Sequence, residues 1–135
     1  MTTPKTILAR ILFLLYIGLI ALLCFMHVDR MPDVQKTLFG LPTDKIVHFV
    51  MFLPFPILAY LAYDHLTNKV WRAAVFAVLN FCFGAILAVI TEYVQGYLPY
   101  RTKDMNDLKA DLYALAICAA FVFIIDATHI KRRKN

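Results

Sequence analysis

Four long apolar runs divide this chain of 135 residues: about Ile7 to Val28, Lys45 to Tyr63, Ala73 to Tyr97 and Asp107 to Ile125. About 20 apolar residues in helical form cross roughly 30 Å of hydrocarbon. No water is present there to satisfy a backbone amide, so each run must be helical. The links between runs are short, which makes successive helices antiparallel neighbours. Residues 1–135 are therefore expected to form one domain, an all-α four-helix transmembrane bundle. A content of 61% hydrophobic and 17% charged residues excludes an ordinary soluble domain.

The net charge of +5 does not point to nucleic acid. Lys131, Arg132, Arg133 and Lys134 form a basic tail beside the last run, a pattern that orients a helix or touches anionic lipid. With both termini inside, the cytoplasmic side holds Lys5, Arg10, Lys69, Arg72 and those four tail residues. The other side holds Arg30, Lys36, Lys45, Arg101, Lys103 and Lys109. The balance, with Arg10 and the tail adjoining spans, predicts a plasma (inner) membrane protein with both termini cytoplasmic. The apolar stretch Ile11 to Val28 is longer than a signal-peptide core, and no small-x-small cleavage site ends it. It reads as a retained span. Cys24, Cys82 and Cys118 lie inside apolar runs without metal-ligand spacing, as small core residues do.

The polar residues within the runs collect at one end. Asp44, Lys45 and His48 open the second run, Glu92 and Gln95 close the third, and Arg101, Asp104, Asp107 and Asp111 open the fourth. Ionisable groups at membrane depth are expensive and mark function. Asp44 and His48 are four residues apart, Glu92 and Gln95 three, Asp107 and Asp111 four, so each pair shares a helix face. Glu92 continues a stripe of small residues, Ala77, Gly84 and Ala88, which lets helix backbones approach and turns Glu92 into the bundle. Asp107, Asp111, Ala114 and Cys118 share a face in the same way. Pro54 and Pro56 remove two backbone donors from the second run and crowd the carbonyls of Val50 and Phe52, which predicts a kink.

His48, Glu92 and Asp107 are the candidates for acid–base chemistry, because an imidazole and a half-buried carboxylate can exchange a proton. Asp44, Lys45, Gln95, Arg101 and Asp111 are the candidates for binding, with Arg101 able to grip a phosphate or carboxylate through two N–H groups. Other roles fit the same spacings. Asp44 suits the N-cap of the second run, and Asp104 or Asp107 that of the fourth. Arg101 can pair with Asp104. Tyr97, Pro99 and Tyr100 suit an interfacial anchor. Glu92, Asp107 and Asp111 could share a divalent cation, but without a tight ligand motif no metal and no cofactor is expected.

The series Asp44-Lys45-Ile46-Val47-His48-Phe49, then Glu92-x-x-Gln95, then Arg101 with Asp107 and Asp111, resembles the VanZ-like family of small bacterial membrane proteins. The likeness covers about residues 44 to 120, the last three runs. Asp111 stands where that family usually has Asn, and Ala114 and Cys118 stand where it usually has Gly. The resemblance implies a polytopic protein of the cell envelope related to glycopeptide (teicoplanin) resistance, an antibiotic-resistance context with no assigned reaction.

The leading expectation is an outward-facing site that binds or modifies a membrane lipid or a lipid-linked anionic envelope component. A small proton- or ion-coupled transporter is the second reading, and a non-enzymatic partner in membrane assembly is the third.

Overall fold

The computed structural model describes residues 4–26, 37–63, 69–101 and 103–132. Its order is helix α1 (Pro4–Phe25), a two-residue ribbon β1 (Thr37–Leu38) and β2 (Leu41–Pro42), then α2 (Thr43–Phe52), α3 (Phe55–Tyr63), α4 (Val70–Gln95) and α5 (Met105–Arg132). Four helical segments of 22, 21, 26 and 28 residues are long and apolar enough to cross a membrane, with α2 and α3 counted as one segment. The chain is an all-α four-helix bundle and a multi-pass membrane protein, as its apolar runs require.

The helix bounds shift from those expected. α1 begins on Pro4, where a missing N–H costs nothing and φ is already helical. Val28, the expected end of the first run, lies outside the described residues, as do Arg30, Lys36, Arg133 and Lys134. α5 continues past Ile125 to Arg132. Asp126, the residue after the expected end of the fourth run, is 3% exposed and packs inside the bundle.

The kink is a full break. α2 stops at Phe52 and α3 resumes at Phe55. Pro54 has no N–H to continue the ladder, but its carbonyl accepts from the Leu58 amide at 3.0 Å and restarts the helix. The carbonyl of Met51, beside the break, accepts the Tyr16 hydroxyl of α1. The small ribbon before α2 turns through Phe39 (φ 54) and Gly40 (φ 80), the positive φ pair of a type I′ hairpin turn.

Packing follows side-chain size. α5 lies against α2, α3 and α4, and α1 leans mainly on α3. The core joins Phe13, Ile20 and Cys24 of α1 to Phe52, Phe55, Ala59, Ala88, Ala114 and Leu115. Gly84 lets α4 and α5 close: a Cβ there would lie 2.5 Å from Leu115 Cδ2. Large apolar side chains such as Leu15, Leu22, Phe83 and Ile117 point outward, as a lipid-facing surface demands.

Candidate functional site

The bundle brings the polar residues of α2, α4 and α5 to one end. Each helix contributes its terminal turn, and the link from α4 to α5 closes the group. His48, Glu92, Gln95, Asp107 and Asp111 are 4%, 2%, 3%, 4% and 0% exposed, so the expectation that Glu92 and Asp111 face protein holds. All expected site residues lie at this end, but their partners lie across helices rather than along them.

His48 and Asp111 form the deepest pair. His48 Nδ1 lies 3.2 Å from Asp111 Oδ1 and 3.3 Å from Oδ2. Its Nε2 lies 4.0 Å from Asp107 Oδ2. A carboxylate at Nδ1 orients the ring and places the proton of a neutral imidazole on that nitrogen. Nε2 is then the basic atom.

Lys45 reaches from α2 to the start of α5. Its Nζ donates to Asp104 Oδ2 at 2.6 Å and to Asp107 Oδ1 at 3.0 Å. Asp104 also accepts the Asn106 amide on Oδ1 at 2.8 Å. Of the two candidates it is thus Asp104, and not Asp107, that caps α5. The Lys45 ammonium holds the Asp104 carboxyl below its usual range, with the Asn106 amide adding to the effect. Asp44 does not cap α2. Pro42 holds that position without a side-chain cap bond, and Asp44 sits exposed in the first turn, where a negative charge still favours the helix dipole.

Glu92 ties the α4–α5 link to α4. Its Oε1 accepts the backbone amide of Asp104 at 2.6 Å, while its buried Oε2 has no partner. Successive turns lead away from α4, from Tyr97 N–H to Val94 O and from Leu98 N–H to Gln95 O, and then from Arg101 N–H to Leu98 O. They carry Arg101 back to the end of α1. There Arg101 Nη2 donates to Leu23 O at 3.2 Å, Gln95 Nε2 to Cys24 O at 2.9 Å and Tyr100 OH to Phe25 O at 3.2 Å. The last carbonyls of a helix lack intrahelical donors, and here three side chains supply them. Arg101 does not pair with Asp104, which Lys45 takes. Its buried Nε has no partner. Tyr97 donates to Tyr93 OH at 2.7 Å on the exposed side of the turn.

A cation could find ligands at this end. Asp44, His48 and Asp107 each bring one ligand atom within 4.8 Å of the others, whereas the sequence had grouped Glu92, Asp107 and Asp111 and no metal was expected. Lys45 already supplies positive charge to Asp107 there.

Three features have no counterpart in the sequence reading. One is the use of the α1 carbonyls, since backbone acceptors leave no mark in a sequence. A second is Tyr16, which grips the break beside Pro54. The third is Asn80, 4% exposed in the middle of α4, whose amide donates to Pro56 O at 2.9 Å. A single amide inside an apolar run was the available signal.

Fold and site together define a small multi-pass membrane protein with a buried polar network at one end of its bundle. No family model, curated protein or solved structure matches the chain.

Proposed function

We propose that this is a VanZ-like membrane protein whose polar end binds, or acts by proton transfer on, the head of a lipid-linked or anionic envelope component. Its cellular consequence is a change in glycopeptide susceptibility. The observation that carries the reading is the His48–Asp111 pair. A fully buried carboxylate holds Nδ1, so Nε2 is left as a positioned base beside Asp107. That is the arrangement a general base needs. Glu92 and Lys45 support it from either side by fixing Asp104 and Asp107. Arg101, with Nε unspent, is the group suited to a phosphate or carboxylate. The site faces outward from the inner membrane with both termini cytoplasmic. Arg10, Lys69, Arg72, Lys131 and Arg132 support that orientation, because they lie on the end opposite the site.

Expression in a teicoplanin-susceptible bacterium tests the proposal. The wild type should shift the inhibitory concentration. His48→Gln and Glu92→Gln should abolish the shift at matched membrane abundance, since both keep polar volume and remove titration. No shift with the wild type, or a shift kept by both variants, overturns the reading.

A further inference from the structure

At the polar end one imidazole and two carboxylates turn donor atoms towards each other. Asp44 and His48 stand one turn apart on α2, and Asp107 meets them from the first turn of α5. One ligand atom of each lies within 4.8 Å of the other two. Acidic groups alone would say little. The imidazole sets this group apart.

His48 is 4% exposed, and both hydrogen-bond contacts of its ring are on Nδ1, made by Asp111. Nε2 lies 4.0 Å from Asp107 Oδ2, beyond hydrogen-bond length. Asp107 divides its oxygens in the same way. Oδ1 accepts from Lys45 at 3.0 Å, which leaves Oδ2 on the side of the ring. The Asp107 carboxyl also lies beside that of Asp44, near enough to share a proton with it. Two carboxylates at such a distance repel unless a proton or a cation stands between them.

The surroundings match those of a metal ligand set. A ligating histidine has its other nitrogen held by a carboxylate or carbonyl, and a ligating carboxylate is itself hydrogen-bonded. Asp111 on Nδ1 and Lys45 on Oδ1 supply both. Asp44, Asp104, Asp107 and Asp111 share the ammonium of Lys45, and a divalent cation would offset two of the remaining negative charges. Zinc bonds to nitrogen and oxygen run about 2.0–2.2 Å, which puts tetrahedral ligand atoms about 3.4 Å apart. Nε2 and Oδ2 need to close by about 0.6 Å to reach that spacing. Asp44 is exposed and closes the rest by rotating its side chain. An imidazole donor favours zinc over magnesium or calcium.

We propose that His48 Nε2, Asp107 Oδ2 and a carboxylate oxygen of Asp44 bind one Zn²⁺ and leave its fourth position open. The binding itself does not depend on the function proposed above; only its use there does. Nε2 cannot hold an ion and accept a proton together, so the loaded site would engage an anionic head through the open position of the ion and not through the ring.

Zinc uptake by the full chain in detergent tests the proposal, with the protein purified without a His-tag, stripped by a chelator and titrated against a zinc-binding dye. The wild type should take up one Zn²⁺ per chain. His48→Gln, Asp44→Asn and Asp107→Asn should each weaken uptake by more than about a hundredfold, and Asp111→Asn, which does not touch the ion, by about 10–100-fold. His129→Gln, at the far end of α5, should leave it unchanged. X-ray absorption of the zinc-loaded wild type needs no variant to fold, and should show one imidazole with oxygens at about 2.0–2.2 Å. Failure of the wild type to take up one ion, uptake kept by any of the three ligand variants, or full affinity in Asp111→Asn overturns the proposal. So does loss of uptake in His129→Gln, or sulfur around the zinc, which would put the ion on a cysteine. No lipid or glycopeptide enters these measurements, so their failure leaves the susceptibility test intact, and failure of that test leaves zinc binding standing.

Discussion

α4 makes two seams of opposite character. Against α5 it presents Gly84 and Ala88, and the backbones close until Leu115 fills the space a Gly84 side chain would need. Towards α1 the two helices meet little, and a groove lined by Phe13 and Ile17 of α1 and Leu87 and Ile90 of α4 stays open. That second seam is held chiefly at its polar end, where Gln95, Tyr100 and Arg101 take the last carbonyls of α1. In hydrocarbon no hydrophobic force draws helices together, so side-chain size and interhelical hydrogen bonds decide how tightly they meet. One helix thus carries a close contact on the side of Gly84 and a loose one on the side of α1.

The largest expected effect comes from forcing the tight seam apart. Gly84→Val places branched carbons against Leu115 and Phe55, both buried, with little room to retreat. Overpacking of this kind costs about 1–3 kcal/mol. Gly84→Val should therefore lower the melting temperature in detergent clearly. Ile86→Trp on the open seam should stay within about 0.5 kcal/mol of the wild type. Equal losses from the two would erase the contrast between the seams.

These seams show which parts of the molecule were legible beforehand. Hydropathy places all four spans because a run of Leu, Ile and Phe is a local property. The stripe of Gly84, Ala88 and Glu92 also reads correctly, since helical spacing alone puts them on one face. Partners across helices do not follow from spacing. Lys45 with Asp104, His48 with Asp111 and Gln95 with Cys24 O join residues 59, 63 and 71 positions apart. Spacing had grouped Asp44 with His48 and Asp107 with Asp111. The groove escapes for the same reason, because its walls come from three helices and its one marker, Asn80, does not interrupt the apolar run. The break at Pro54 was visible, but Tyr16 on the Met51 carbonyl was not, because that bond depends on where α1 lies.

A smaller effect is expected at the clasp of the open seam. Gln95→Ala removes the donor from Cys24 O and leaves a buried carbonyl unpaired, worth about 1 kcal/mol. More telling is local opening. Cys24, 1% exposed, should become more reactive to a water-soluble maleimide, while Cys118, 4% exposed, stays protected. A parallel rise at both cysteines would mean global loosening and not release of α1.

The smallest effect concerns Asp104, where α5 begins. Lys45 holds its carboxyl below the ordinary value of 3.8. A folded-state value that is depressed contributes stability above the unfolded value and loses it as the pH falls through the folded one. The Asp104 contribution should therefore be complete near neutrality and fade on acidification below about pH 4. Asp104→Asn isolates it. Asn still accepts the Asn106 amide and keeps the cap, but it has no charge for Lys45. Carboxylates that touch neither Lys45 nor Asp104 titrate alike in both proteins, so the difference between their melting curves from pH 7 to pH 3 reports Asp104 together with Asp107 and Glu92, which share its contacts. The wild type should be slightly more stable at pH 7, and the gap should close on acidification. An exposed pair commonly contributes little, and a gap that is zero at every pH would leave Asp104 as a cap alone. Lys45 would then be free to serve Asp107 and the base beside it.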